Sequence, residues 1–246
     1  MPEHHHSHGI CPHHHEVSAK SFKWLIVSFA VNMLLSVLEF IGGIIAGSVA
    51  LIGDALHNTS YALSIMIAVI AFKIGLRKAS SKYTYGFKRA EVIGGFVNLI
   101  LLFISGCYLV FEGIERLIKP QPIDGYTIIW ISVLALIIDA ANAKISHHDA
   151  HHNSNMKMVF IHNLADAFGS VGVIISGICV IWLGIYRIDG IIALLIAAYM
   201  MVQAVLSCPK IVNILMNAAP DNLRAEDIEK AICELEGIRG VHHIHL

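Results

Sequence analysis

Charge is scarce in this chain. Asp, Glu, Lys and Arg make up 14% of its 246 residues, where a soluble domain carries about a quarter. A basic excess is missing as well. The 17 Lys and Arg stand against 18 Asp and Glu for a net charge of −1, which excludes a nucleic-acid binder relying on a basic face. No C-x-x-C pair occurs among Cys11, Cys107, Cys179, Cys208 and Cys233. They read as free thiols and not as a disulfide framework; Cys11, set among histidines, either assists metal capture or is a solvated tail thiol. The H-E-x-x-H motif is also absent. His15-Glu16 is followed by Val17-Ser18-Ala19, and no apolar stretch carries the motif, so a membrane zinc peptidase with Glu as general base is excluded. Finally, the start of the chain, with Glu3 and interrupted histidine runs, lacks the pattern of a cleaved signal.

What the chain has instead is apolar length and histidine. It is 56% hydrophobic with 16 histidines, and its mean hydropathy is +0.68. Six stretches, 24–46, 49–72, 92–111, 126–143, 159–183 and 190–206, are apolar throughout most of their length. Each approaches the ~20 residues a helix needs to cross a bilayer. The fold class expected is therefore an all-α membrane protein of six transmembrane helices. The first two spans are linked only by Gly47 and Ser48, which forces a hairpin; Pro120 and Pro122, followed by Asp124-Gly125, break the chain between the third and fourth.

Lys20, Lys23, Lys73, Arg77, Lys78, Lys82, Lys88, Arg89, Lys144, Lys157 and Lys210 flank one side of these spans, against Arg116, Lys119 and Arg187 on the other. The positive-inside rule then places both termini in the cytoplasm. Gly43 with Gly47, Ala90 with Gly94 and Gly172 with Ser176 are small residues at the spacing that lets helices approach closely in lipid. Beyond the last span, 221–235 reads as a soluble amphipathic helix and 240–246 as the start of a strand. The expected organisation is a His-rich cytoplasmic tail (1–20), a transmembrane domain (21–208) and a truncated C-terminal cytoplasmic domain (209–246).

Ionisable residues inside membrane helices are costly and mark functional sites. Here they gather on the second span, with Asp54, His57, Asn58 and Tyr61, and on the fifth, with His162, Asn163 and Asp166. Asn32, Glu39, Asn98 and Asn142 read as hydrogen-bonding residues between helices, and Asp139 as part of a water-filled pathway. His162 and Asp166 are four apart on one helix face, as are His57 and Tyr61. If the two faces meet, two imidazoles and a carboxylate converge, a set that suits tetrahedral Zn2+. Protonated imidazole does not bind metal, so a proton can displace the ion. Co2+, Cd2+, Ni2+ and Fe2+ are alternatives, because geometry as well as ligand type selects the metal. Two further groups suggest loose metal capture: His147, His148, His151 and His152 in the loop after the fourth span, and His4, His5, His6, His8, His13, His14 and His15 in the tail.

From Phe22 onward the sequence resembles the cation diffusion facilitator family of proton-coupled metal exporters. The resemblance rests on Glu39-Phe40-Ile41-Gly42-Gly43, on Gly47-Ser48-Val49-Ala50-Leu51 leading to Asp54-Ala55-Leu56-His57, on Tyr85-Gly86-Phe87-Lys88-Arg89-Ala90-Glu91, on His162-Asn163-Leu164-Ala165-Asp166 through Gly172, and on the closing Gly-Val-His-His-Ile-His. It implies a homodimeric antiporter in the lipid bilayer that exchanges cytoplasmic metal for protons, without a resident cofactor. It also implies a ferredoxin-like α/β cytoplasmic domain, with His242 and His245 at its metal positions. His57, His162 and Asp166 match the family's transport ligands, but Tyr61 stands where an aspartate is expected. A phenol with a pKa near 10 is a poor ligand at neutral pH. Three outcomes follow: a water completes the site, Asp54 turns in as a substitute, or transport is weakened and the chain is a metal sensor or partner subunit. By analogy the membrane is the bacterial inner membrane.

Overall fold

A computed structural model describes residues 19–150, 154–219 and 224–244 apart from Tyr85, Lys88, Glu236 and Arg239. It contains α1 (Ala19–Ala46), α2 (Val49–Gly75), α3 (Ala90–Ile118), α4 (Gly125–Ala150), α5 (Ser154–Leu183), α6 (Arg187–Leu215) and the short α7 (Ala225–Cys233). The first six are long and apolar enough to cross a membrane. Their outer surfaces carry large apolar side chains; Trp182 is 83% exposed and Trp130 75%. In water such a surface would drive aggregation, whereas in lipid it is the solvated face.

The helices form two rings that share α2 and α5. One is α1, α2, α5 and α4; the other is α2, α3, α6 and α5. The most extensive packing is α4 on α5 and α3 on α6, while α2 and α5 meet over a short stretch only. Glycines set the closest approaches. A Cβ at Gly125 would lie 2.8 Å from the Gly177 carbonyl oxygen, and one at Gly190 would lie 2.9 Å from that of Gly113. Of the small-residue pairs expected from sequence, Gly43 packs tightly on Ile52 of α2 and Gly94 on Ile67. Gly172 has room, its nearest neighbour being Ile192 at 3.8 Å.

The α1–α2 turn shows how local sequence directs the fold. Gly47 adopts φ +68°; its N–H bonds the Ile44 carbonyl at 3.3 Å and the Ser48 N–H bonds that of Gly43 at 2.9 Å. This is a left-handed helix stop that glycine makes at little cost. Ser48 then caps α2, accepting from the Leu51 N–H at 3.1 Å. The buried Asp189 of α6 completes the corner. It accepts from the Ser48 hydroxyl at 2.5 Å and from the Val49 and Ala50 N–H groups at 2.7 and 3.4 Å. On the opposite face Asn217, at φ 55°, ends α6, and its side chain accepts a hydrogen bond from Arg89 beside α3.

Several elements differ from the sequence expectation. The fourth helix runs on to Ala150, so His147 and His148 lie in its last turn and not in a loop, a place where the helix dipole favours histidine. The sixth continues through Pro209 to Leu215. The expected amphipathic helix is present but shorter, as α7. Residues 240–244 form no strand: they are irregular, and His243 sits at φ 56°. A strand needs a neighbour for its backbone groups, and no strand occurs among the described residues. The tail (1–18), His151, His152 and His245 lie outside the described residues.

Replacing Asp189 with alanine strands buried donors at the α1–α2 corner, at a cost of at least about 2 kcal/mol. Thermal unfolding of the purified protein in detergent should show a clear loss, with Asp189→Asn intermediate. A milder effect is expected at Asp124, which caps α4 by accepting from the Thr127 hydroxyl at 2.5 Å and the Tyr126 N–H at 3.0 Å. Chiefly the Thr127 hydroxyl holds its carboxyl below the usual aspartate range. Stability from a depressed carboxylate is present at neutral pH and lost as pH falls through that lowered value. The Asp124→Ala penalty, about 1 kcal/mol near neutrality, should shrink in acid, as read by the same melts against pH.

Candidate metal centre

Between α2 and α5, His57, His162 and Asp166 bring one potential ligand atom each within 4.8 Å of one another. The i,i+4 stagger on α5 places His162 directly over Asp166, Nε2 to Oδ2 at 3.1 Å. His57 reaches the other carboxylate oxygen across the gap, Nε2 to Oδ1 at 3.3 Å. Asp166 is thus shared by two imidazoles from two helices. Both of its oxygens and both Nε2 atoms are buried without an aligned hydrogen-bond partner. Groups this well buried normally find one. Here one ligand atom from each residue lies within 4.8 Å of the others instead.

Tyr61 packs on this set with its ring. Its ring lies against the His162 imidazole, centroids 3.5 Å apart and planes 30° from parallel. Tyr199 of α6, which the sequence reading did not single out, meets His57 edge-on at 5.3 Å. Its signal was weak, because a tyrosine in an apolar helix reads as packing. Each imidazole thus packs against one phenol ring, which limits its rotation.

Asp54 sits one turn from His57 but outside the cluster. It lies near the Ser170 hydroxyl at 3.5 Å, as Asp139 does at 3.4 Å. Of the residues expected to hydrogen-bond between helices, Glu39 accepts from Asn58 at 3.1 Å and Asn142 donates to Asn32 at 3.0 Å, whereas the Asn98 Oδ1 is buried without a partner. Among the more distant candidates, His147 is exposed on α4 with its ring 5.1 Å from that of Phe160, and His242 is exposed near the C-terminus. Neither His147 nor His242 belongs to a metal-competent group among the described residues.

A cavity of about 450 Å³ leads to the centre. Its lining runs from His57 through Tyr61 to Ser64 on α2, past Asn98 on α3 and His162 on α5, to Gln203 on α6. A second cavity of about 250 Å³ continues from Ser64 and Asn98 to Glu91 at the start of α3. These are the ends of α2, α3, α5 and α6 nearest the 76–89 link, on the side where α1 begins. Toward the other side the bundle is plugged by the apolar cluster of Val49, Leu51, Leu109, Ile123, Ile128, Val180 and Ala193 with their neighbours. The cavities therefore lie on one side of the centre, and the apolar cluster closes the other.

Comparison with known proteins points the same way. Residues 25–216 match the family described as the cation efflux transmembrane domain. The chain is 31% identical over 236 residues to the "Cadmium, cobalt and zinc/H(+)-K(+) antiporter" of Bacillus subtilis, covering 95% of this chain and 76% of the relative. It is 30% identical over 224 residues to "Zinc transporter ZitB" of Escherichia coli, covering 90% and 72%. It is 28% identical over 234 residues to "Metal cation efflux system protein CzcD" of Cupriavidus metallidurans, covering 95% and 74%. With six membrane-crossing helices and this match over most of its length, the chain belongs to the cation efflux, or cation diffusion facilitator, family of membrane transporters.

Proposed function

We propose that this protein exports a divalent metal ion, zinc foremost, from the cytoplasm in exchange for protons, with His57, His162 and Asp166 as the transport ligands. The shape of the cluster carries this reading. A tetrahedral zinc site with bonds of about 2 Å has ligand-to-ligand edges of about 3.3 Å. The imidazole–carboxylate separations are 3.3 Å to Oδ1 and 3.1 Å to Oδ2, and one ligand atom from each residue lies within 4.8 Å of the others. Closing the set onto an ion draws these atoms toward the tetrahedral edge length. The names of the relatives support cadmium and cobalt as alternative cargo; nickel and iron(II) fit the same ligand types. Protons compete because each imidazole must be neutral to bind.

The basic residues at the tail-side helix ends support a cytoplasmic location for that face. The cavity opens on the same side, so this conformation is the one that loads metal. A water from the cavity serves as fourth ligand, since the Tyr61 ring is stacked on His162. The remaining assignments complete the proposal. The tail (1–20) and His147, His148, His151 and His152 capture ions, and residues 21–208 conduct them. Residues 209–246 begin an α/β cytoplasmic domain with His242 and His245 as a secondary site. Two copies pair in a bacterial inner membrane.

The stacking of Tyr61 also favours a second reading, a subunit that binds metal without moving it. Proteoliposomes loaded with a zinc-sensitive dye, alongside calorimetric zinc binding in detergent, separate the two. Wild type should both bind and transport; binding without flux would identify a sensor. Asp166→Ala removes a direct ligand, so its affinity loss should exceed the roughly 10–100-fold typical of an outer partner, and flux should cease. Tyr61→Asp should bind zinc more tightly. Undiminished transport by Asp166→Ala would rule out this site.

A further inference from the structure

On the closed side of the metal centre, the ring of α1, α2, α5 and α4 encloses three more carboxyl groups. Glu39, Asp54 and Asp139 are all at most 3% exposed. Neither Lys nor Arg pairs with any of them among the described residues. The groups surrounding Asp139 are Asp166 and Ser170 of α5, Asp54 of α2 and Glu39 of α1, with His57 beyond Asp54. This is an unusual enclosure. A buried carboxylate without a cation is expensive, and the usual resolution is to carry a proton.

The Ser170 hydroxyl makes the point geometrically. Its Oγ lies 3.5 Å from Asp54 Oδ2 and 3.4 Å from Asp139 Oδ2. A hydroxyl has one hydrogen to give and lone pairs to receive. Both contacts are favourable only when one aspartate is protonated and donates to Ser170, which donates to the other. A separate observation marks the same enclosure. Glu39 accepts from Asn58 with Oε2, while its Oε1 is fully buried with no partner. Its nearest like charges are Asp54 and Asp139.

We propose that Asp139, Ser170 and Asp54 form a proton relay behind the metal centre, with Asp139 as the residue that stores the exchanged proton. The relay rests on the transport reading above and adds to it the place where the proton is held. The step is balanced. The O–H bond of Asp54 breaks as Ser170 Oγ takes that hydrogen, Ser170's own hydrogen forms the O–H bond of Asp139, and the hydroxyl is regenerated. A dication at His57, one helical turn from Asp54, disfavours the protonated pair, so its proton leaves through Asp54 to water; on departure of the ion a proton taken up at Asp54 passes through Ser170 to Asp139. Asp139 acts through Ser170 and Asp54 and touches no metal, so it is a positioning residue for the proton.

The test uses the full chain in proteoliposomes with pH-sensitive and zinc-sensitive dyes, together with Zn2+ calorimetry from about pH 6 to about pH 8, the range in which histidine titrates. Asp139→Asn should keep wild-type Zn2+ binding near pH 8. Its dependence of zinc affinity on pH should flatten, on the order of tenfold for coupled sites, with fewer protons moved per zinc. Ser170→Ala should do the same, and Ser170→Thr, which retains a hydroxyl, should restore wild-type behaviour. Should Asp139→Asn fail to fold, the Ser170→Ala and Ser170→Thr pair decides alone. A wild-type pH response and proton ratio in Asp139→Asn or Ser170→Ala would overturn the relay. So would loss of zinc binding in Asp139→Asn, which would make it part of the metal centre. Absence of zinc flux in wild type would instead defeat the transport reading itself.

Discussion

One carboxylate held between two imidazoles inside a lipid-embedded bundle sets the terms for the rest of the molecule. Burying Asp166 costs several kcal/mol unless charge or hydrogen bonds offset it, and the groups that meet it, His57 and His162, come from two helices that barely touch. The gap between α2 and α5 must therefore be kept at side-chain width by everything around it. On one flank α1 and α4 do this, and on the other α3 and α6. The glycine contacts at Gly125–Gly177 and Gly113–Gly190 draw α4 onto α5 and α3 onto α6 almost backbone to backbone, which leaves room at the centre without loosening the periphery.

The two sides of the centre are built differently. Toward the tail side there is a cavity whose mainly apolar lining is interrupted by Ser60, Ser64, Asn98 and Gln203. Toward the other side the packing is apolar, and the corner at Ser48 is tied to α6 by Asp189. Because dispersion contacts and directed hydrogen bonds hold that side, exposing the centre there requires breaking discrete interactions and not gradual bending. A carrier that exposes its site to one side at a time needs such a threshold.

Tyr61 redistributes charge in the centre. Where the family resemblance calls for an aspartate, this chain presents a phenol that stacks on His162. The negative charge so removed from the centre has counterparts one turn deeper, in Asp54 and Asp139 around Ser170. Attraction for a dication falls only slowly with distance in a low-dielectric setting. Asp54, one turn from His57, still influences the ion while leaving the ligand shell less charged.

Long apolar runs, the two-residue link at Gly47 and the scarcity of charge made six spans and a hairpin start legible from sequence. Those properties depend on composition and local backbone sterics alone. The pairing of His162 with Asp166 was legible for the same reason, since helix pitch fixes which residues share a face. Other features were not. That Tyr61 stacks on His162, that Tyr199 packs on His57, that Asp189 caps a helix well over a hundred residues away, and that Ser170 bridges two aspartates all depend on which helix faces which. Periodicity identifies the polar face of a helix, but its partner is chosen by packing summed over the whole bundle, and only the tertiary structure decides that.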